Sequence, residues 1–235
     1  MKYFLSIIIL CNLSVVCASP YSKVDKDLTI YDSTVSKMQS DFLSIPANIE
    51  DKEWIKSKLA NMFKIDQYMR SFWGIPFKNN YSAEEKDEFQ KQFSLKSEKV
   101  DDQNTEDLKE LLKRYEWFKI GEFGAIADNQ AWLIVQHADR DPAFQSQILP
   151  ILEKLWPIRE TNPAHYAYLY DRVASSFFDP SKRVPQRYGT QGRCVGSGTW
   201  EPWPIEDEAS VDKRRKAVGL ESMEEYKAAF KTICH

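Results

Sequence analysis

Glycine is scarce in this 235-residue chain, with 8 residues, and neither sign of charge dominates, since the formal net charge is -3. The scarcity of glycine excludes a collagen-like or low-complexity chain. The lack of a basic excess argues against nucleic acid as a partner, because nonspecific binding to nucleic acid needs a positively charged surface. With 43% hydrophobic residues, the chain has enough apolar material to form a folded core.

Histidine is also rare, with 3 residues, and the short motifs that mark common metal and cofactor sites are missing. The chain has no HExxH, CxxC, P-loop, GxGxxG or GxSxG sequence. His137, Asp139 and Asp141 carry groups that ligate metals, but with so few histidines, one of them terminal, a zinc site is not expected. We therefore predict neither a metal nor a cofactor.

The longest apolar run lies at the N-terminus, and residues 1–18 have the pattern of a bacterial signal peptide. Lys2 supplies the basic start, and Val16 and Ala18 occupy the positions before a small-residue cleavage site. A membrane anchor is the alternative, but the run is shorter than the roughly 20 residues of a spanning helix. Acylation of Cys17 is a further alternative, which the bulky residue before it disfavours. We expect a protein exported to a periplasm or the medium, without a membrane span after cleavage.

Cleavage after residue 18 would leave two of the four cysteines, Cys194 and Cys234. An even pair in an oxidising compartment is compatible with one disulfide. Two unpaired buried thiols are the alternative, and spacing alone does not decide between them.

The remaining chain predicts a mainly α fold, a single helical domain over residues 49–235 preceded by an N-terminal arm over residues 19–48 that is helical or loosely docked. Residues 180–204 hold four of the 11 prolines and four of the 8 glycines, a composition that predicts a small β-hairpin or an irregular loop insertion near residues 186–204. Apolar spacing, capping residues and prolines predict helices in this order: 49–73, from Ser82, from Asn104 or Thr105, 125–139, 142–156 with a kink or restart at Pro150, 162–178, 211–220 and 222–234.

Polar residues fall where the helical pattern expects apolar ones. Asp66 lies within the apolar stripe of the first long helix, which also contains Trp73, and Arg70 follows one turn later. A buried carboxylate is unfavourable unless it is paired and hydrogen-bonded. The pair could tie this helix to another one, or it could line a pocket.

The apolar segment 125–139 likewise ends in polar residues, with Gln136, His137 and Asp139 directly after a core-like run. A histidine beside apolar residues is more often a satisfied core residue than a catalyst. The alternative is that a buried helix emerges here into a site. A third polar segment, QRYGTQ over 186–191, could bind a ligand or hydrogen-bond its own turn.

Five strings in this order resemble a bacterial family known only as a domain of unknown function, number 6624: DQYMR (66–70), WLIVQHADRDPAFQ (132–145), AYLYDRV (167–173), QRYGTQ (186–191) and PIEDEASVDKRRKAVGL (204–220). Together they cover roughly residues 50–230. The resemblance implies a shared helical domain and a shared polar site, without an activity that can be carried over. It selects these polar residues: Asp66, Gln67, Arg70, Gln136, His137, Asp139, Gln145, Asp171, Arg172, Gln186, Tyr188, Thr190 and Gln191.

Three hypotheses about function remain open. In an exported enzyme, His137 would be the general acid or base, Asp139 or Asp66 its orienting carboxylate, and the other selected residues would bind a small polar ligand, with Arg70 or Arg172 as an anion clamp. In a binding module, the same residues would hold a ligand or protein without chemistry, and Trp200 and Trp203 would form an exposed anchor. In the third hypothesis the polar set is a purely structural network.

Overall fold

The computed structural model describes residues 19–176 and 179–234. The predicted signal peptide over residues 1–18, with Cys17, lies outside the described residues, as does the predicted end of a helix at Phe178. The α-helices are α1 Ser22–Leu43, α2 Lys52–Phe72, α3 Ile75–Lys78, α4 Ala83–Leu112, α5 Ile120–Phe123, α6 Ala125–His137, α7 Pro142–Leu155, α8 Pro163–Ser175, α9 Val211–Ala217 and α10 Met223–Ala229. The strands are β1 Gly192–Gly196 and β2 Thr199–Pro202.

The predicted mainly α fold with a small hairpin near residues 186–204 is confirmed. Strands β1 and β2 pair antiparallel, with Cys194 opposite Trp200. The turn between them contains Gly198 at φ +66°, a left-handed conformation that glycine adopts without steric strain.

Helix α2 follows from its apolar spacing. Asp51 caps it by accepting a hydrogen bond from the backbone N–H of Glu53, and Ile55, Leu59 and Met69 are fully buried. The expected place of Trp73 in this stripe is wrong, because Trp73 follows the last helical residue and is 36% exposed.

Helix α4 replaces the two helices expected on either side of residue 104. Its N-terminus is the predicted capping box of Ser82 and Glu85, but Asn104 and Thr105 lie inside it instead of starting a new helix. The Thr105 hydroxyl donates to the carbonyl of Asp101 one turn back, and the Asn104 amide donates to the carbonyl of Met62 on α2. Both polar side chains are thus satisfied within a continuous helix, and neither breaks it.

Helix α7 continues through Pro150 to Leu155, so, of the kink or restart expected at Pro150, the restart does not occur. Helix α8 is shorter than expected. It begins after the predicted cap Asn162, whose side chain accepts from the N–H of Ala164, and it ends at Ser175, followed by Ser176 at φ +41°.

Helix α6 is central, since it packs against α2, α4, α7 and α8. Its surroundings form the larger core, which includes Trp117, Phe118 and Ile134. Helix α1 packs against α2 and α4 in a second, aromatic-rich cluster that contains Phe89 and Phe93. Because neighbours surround α6, its C-terminal end places His137 where two other helices, α2 and α4, contribute side chains.

The hairpin and the C-terminus form a third cluster. Trp200 stacks on Phe230, with ring centroids 4.6 Å apart, and a disulfide joins Cys194 to Cys234. The pairing that the sequence left open is therefore made in this structure. None of the helices in the described ranges is both long and apolar enough to cross a membrane.

Candidate functional site

The last residue of α6 meets a buried carboxylate of α2. His137 Nδ1 lies 2.7 Å from Asp66 Oδ1, and the Asp66 side chain is 1% exposed. An ionised carboxylate only accepts hydrogen bonds, so Nδ1 is the donor and Nε2 carries the lone pair when the ring is neutral. Asp66 therefore fixes both the orientation and the tautomer of the imidazole.

Two further donors hold Asp66 in place. Gln67 Nε2 donates to Asp66 Oδ2 at 2.8 Å, and Arg70 Nη2 lies 3.5 Å from Asp66 Oδ1. The same Arg70 nitrogen donates to Asp101 Oδ1 on α4 at 2.6 Å. We call Asp66, Gln67, Arg70, Asp101 and His137 the dyad cluster.

Asp101 is the acidic member of this cluster that sequence reasoning missed. Burial raises the pKa of the Asp101 carboxyl to about 6, although the Arg70 guanidinium lowers it. A carboxyl that titrates near pH 6 can exchange a proton close to neutral pH. The expected helix start at residue 104 hid this residue, because a break there would have placed Asp101 in a loop.

An open cleft of about 580 Å³ lies beside the dyad cluster. His137 contributes to its wall, and its side chain is 22% exposed. No hydrogen-bond partner of His137 Nε2 occurs in the described part of the chain. The polar lining comes from α4 and from the end of α6: Asp101, Asp102, Thr105, Glu106, His137, Arg140 and Asp141.

Most other charges around the cleft are paired. Arg140 bonds to Glu98 and to Asp102, and Lys109 contacts Glu106 and Asp141. These pairs join α4 to the segment after α6 and shape the rim of the cleft.

A second cluster surrounds Arg172 on α8. Its guanidinium makes a two-point ion pair with Asp139, with Nε 2.7 Å from Oδ1, and Nη1 donates to Gln191 Oε1 at 2.9 Å. Gln145 Nε2 donates to the Val135 carbonyl and also approaches Asp139 Oδ1. The expected pairing of Asp139 with His137 is thus replaced by a pairing with Arg172, while Asp66, the other expected carboxylate, orients His137.

A third set builds the loop over residues 186–191. Asp171 is fully buried and accepts hydrogen bonds from the backbone N–H groups of Arg187, Tyr188 and Thr190. Desolvation raises the pKa of the Asp171 carboxyl in spite of these donors. The Gln186 amide bonds to the backbone of Gln191 and to the Trp203 carbonyl. Gln186, Tyr188 and Thr190 are buried as well. The polar groups of this set therefore stabilise the conformation of the loop itself.

Gln136 differs from the other selected residues. It is 7% exposed, and its Nε2 has no hydrogen-bond partner within the described ranges. Gln136 does not line the cleft.

A second histidine–aspartate pair, outside the selected residues, lies in the core. His165 Nδ1 is 3.0 Å from Asp128 Oδ2, with side chains 4% and 1% exposed. Burial raises the pKa of the Asp128 carboxyl, but the contacts with His165, Trp117 and Thr161 outweigh it and hold this pKa below its usual range. This pair joins α6 to α8 and is sealed from solvent, in contrast to the pair at the cleft.

The exposed aromatic anchor expected at residues 200–203 is wrong. Trp200 is 7% exposed and packs between Tyr226 and Phe230. Trp203 is half-buried, and two arginine side chains lie over its ring.

Apart from Gln136, the selected residues thus separate into three sets: those that form the dyad cluster together with Asp101 at an open cleft, an ion-pair cluster around Arg172, and the buried loop set. Among the residues that the structure describes, no three histidine, cysteine, aspartate or glutamate side chains are arranged to hold a metal ion. The chemistry that the geometry offers is proton transfer by an oriented imidazole beside a carboxyl of raised pKa.

Residues 57–232 match the family of unknown function DUF6624. No curated protein and no solved structure shows a significant match to the chain. The matched segment contains the dyad cluster, the Arg172 cluster and the loop set, and it covers most of the chain. The family resemblance expected from the five sequence strings is confirmed, and the chain belongs to the family of unknown function DUF6624.

Proposed function

We propose that this protein is an exported enzyme that uses His137 for general acid–base catalysis on a small polar substrate, in a hydrolase or transferase reaction. One observation carries the proposal: an imidazole at the wall of an open cleft is hydrogen-bonded through Nδ1 to the buried Asp66. This arrangement leaves Nε2 as the atom that takes or gives a proton.

Asp66 acts as a positioning residue in this proposal. Gln67 and Arg70 contact its two oxygens. These contacts keep the Asp66 carboxylate in one orientation while the His137 imidazole gains and loses a proton. Its negative charge stabilises the imidazolium that forms when Nε2 accepts a proton from the substrate or from water.

Asp101 supplies a second proton-transfer group on another wall of the cleft. It belongs to α4, whereas His137 belongs to α6. With a pKa of about 6, Asp101 can donate a proton under mildly acidic conditions, while His137 acts as the base. Arg70, which contacts Asp101 and Asp66, reduces the repulsion between the two carboxylates.

Export is a separate part of the proposal. Support comes from the signal-like residues 1–18 and from the disulfide between Cys194 and Cys234, a bond that persists in oxidising compartments. N-terminal sequencing of the protein from a periplasmic extract tests it, and an N-terminus at residue 19 is expected.

The catalytic proposal is tested with chromogenic esters, phosphate esters and glycosides on wild type, His137→Gln and Asp66→Asn. We expect turnover of at least one class, a loss of about 100-fold or more in kcat for His137→Gln, and a smaller loss for Asp66→Asn. Asp102→Asn is the matched control, because Asp102 lines the same cleft but pairs with Arg140. Turnover that His137→Gln leaves unchanged would refute the role of His137.

Ligand binding without chemistry is the second candidate, favoured by the open cleft and its mostly polar lining. A metabolite library screened by thermal shift separates the two. A ligand that stabilises wild type and His137→Gln equally, and that neither protein consumes, would favour a binding module.

A further inference from the structure

Trp203 lies beneath two arginine side chains that come from different segments. The guanidinium carbon of Arg183 is 4.0 Å from the Trp203 ring centroid, and that of Arg193 is 5.1 Å from it. Arg183 precedes the 186–191 loop, Arg193 belongs to β1, and Trp203 follows β2. Two positive charges thus share one aromatic platform on the surface of the hairpin region.

Neither arginine makes an ion pair with a carboxylate in the described part of the chain, whereas Arg187 and Arg214 nearby pair with Glu206 and Asp207. Arg183 uses its Nε to donate to the Ser175 carbonyl at 2.9 Å, which leaves its two terminal nitrogens available. Arg193 is exposed. Its cross-strand neighbour is Glu201, but these side chains form no ion pair.

The backbone of Trp203, whose ring is the platform, is hydrogen-bonded to the 186–191 loop. The backbone N–H of Trp203 donates to the Gln191 carbonyl, and the backbone carbonyl of Trp203 accepts from Gln186 Nε2. Next to Arg193, Cys194 is fixed by the disulfide to Cys234. Stacking on one aromatic ring restricts both guanidinium groups before a ligand arrives, which lowers the entropic penalty of binding.

We propose that Arg183 and Arg193, stacked on Trp203, form a binding site for a phosphate dianion, either free phosphate or a phosphomonoester. Two guanidinium groups within about 5 Å of one ring centroid repel each other, and an anion that contacts both of them reduces this repulsion. A phosphate monoester carries close to two negative charges at neutral pH, and its oxygens match the planar fork of a guanidinium. The site is separate from the cleft and does not depend on the proposed catalysis.

The test is a titration of the ¹⁵N-labelled protein, followed through the Trp203 indole N–H and the arginine Nε–H signals. Inorganic phosphate and phosphoserine are the two arms, and acetate at equal ionic strength is the anion control. We expect saturable shifts of Arg183, Arg193 and Trp203 with a Kd of about 1 mM. Tighter binding of phosphoserine would identify an ester as the ligand, and tighter binding of inorganic phosphate would identify the free ion.

Arg183→Gln and Arg193→Gln should each weaken phosphate binding about tenfold. Arg159→Gln is the matched control, because Arg159 is exposed, forms no ion pair in the described residues and has no aromatic platform. Arg193→Lys keeps the charge and covers the case in which a glutamine variant fails to fold; it should bind more weakly than wild type. Shifts that do not saturate, or that Arg159→Gln reduces as much as Arg193→Gln, would overturn the proposal.

Discussion

Asp171 Oδ2 accepts two hydrogen bonds from Thr190, one from the backbone N–H at 2.8 Å and one from the hydroxyl at 3.0 Å. The other carboxylate oxygen accepts from the N–H groups of Arg187 and Tyr188. One buried side chain of α8 therefore satisfies three backbone donors of the 186–191 loop, which would otherwise be buried without partners.

Replacing this carboxylate should unfold the loop and destabilise the protein. Asp171→Ala leaves the three N–H groups without acceptors, so we expect the free energy of unfolding to fall by about 3 kcal/mol. Urea denaturation followed by tryptophan fluorescence measures this. Asp207→Ala is the control. The Asp207 side chain is 61% exposed and forms an ion pair with Arg214, so the free energy of unfolding of this variant should fall by less than about 1 kcal/mol. Equal losses in the two variants would contradict the structural role of Asp171.

The helical part of this fold follows from local signals. The capping box at Ser82, the proline at residue 142 and the apolar spacing of α2 predict helix starts and faces that the structure contains. The break expected at Asn104 fails for a tertiary reason. Its side chain bonds across to the Met62 carbonyl of α2, and a single sequence does not show that such a partner is within reach.

The site is predicted less completely than the helices. Asp66 stands out from sequence because a carboxylate on an apolar stripe must have a partner. The identity of that partner depends on how α2 packs against α6. In the structure, Asp66 is paired with His137, and Asp139 is paired with Arg172. Periodicity shows which residues share one helix face, but it does not show which two faces meet.

The two internal histidine–aspartate pairs should respond differently to diethyl pyrocarbonate, which acylates accessible unprotonated imidazole. In a His235→Ala background, we expect His137 to react and His165 to stay protected, because the His165 side chain is 4% exposed and stacked on Trp132. Mass spectrometry of the modified peptides measures both sites. Asp66→Asn should change the rate at His137, since it removes the carboxylate acceptor at Nδ1. Modification of His165 at a rate equal to that of His137 would contradict the burial of the second pair.

The same two pairs should differ in stability. His165→Ala removes one of the contacts of the buried Asp128 and opens a cavity under Trp132, so a loss of about 3 kcal/mol is expected. His137→Ala should have a smaller effect, because the His137 side chain is 22% exposed at the cleft, so that water can fill the space it leaves, whereas the His165 side chain is 4% exposed. Thermal and urea unfolding of both variants decide this. A larger loss for His137→Ala would assign the dyad cluster to the structural network.

The disulfide should stabilise the C-terminal region. Cys194 and Cys234 are 40 residues apart, and closing a loop of this length contributes about 4 kcal/mol in the chain-entropy model. The double variant Cys194→Ser, Cys234→Ser should lose this stabilisation and become insensitive to reductant, while wild type should lose stability when reduced. Wild-type stability that does not change on verified reduction would contradict this prediction.

Asp101 should make the stability of the protein depend on pH in a defined direction. Its pKa of about 6 in the folded state lies above the usual value of 3.8, so the folded protein binds this proton more tightly than the unfolded chain does. The group therefore supports folding fully below pH 3.8, and this contribution is lost as the pH rises through 6. Asp101→Asn cannot lose a proton, so relative to wild type it should gain roughly 2–3 kcal/mol between pH 4 and pH 7.

Urea unfolding of both proteins at several pH values between 4 and 7 tests this relative gain. The absolute stability of Asp101→Asn is not the readout, because the substitution also changes the contact of this side chain with Arg70. Asp102→Asn is the matched control. It also removes one carboxylate, at the neighbouring position, but the Asp102 side chain is 53% exposed. If Asp101→Asn and wild type keep a constant difference across this range, the Asp101 carboxyl does not hold its proton near neutral pH. It could then not serve as the acid beside His137, and proton transfer in the cleft would rest on the imidazole alone.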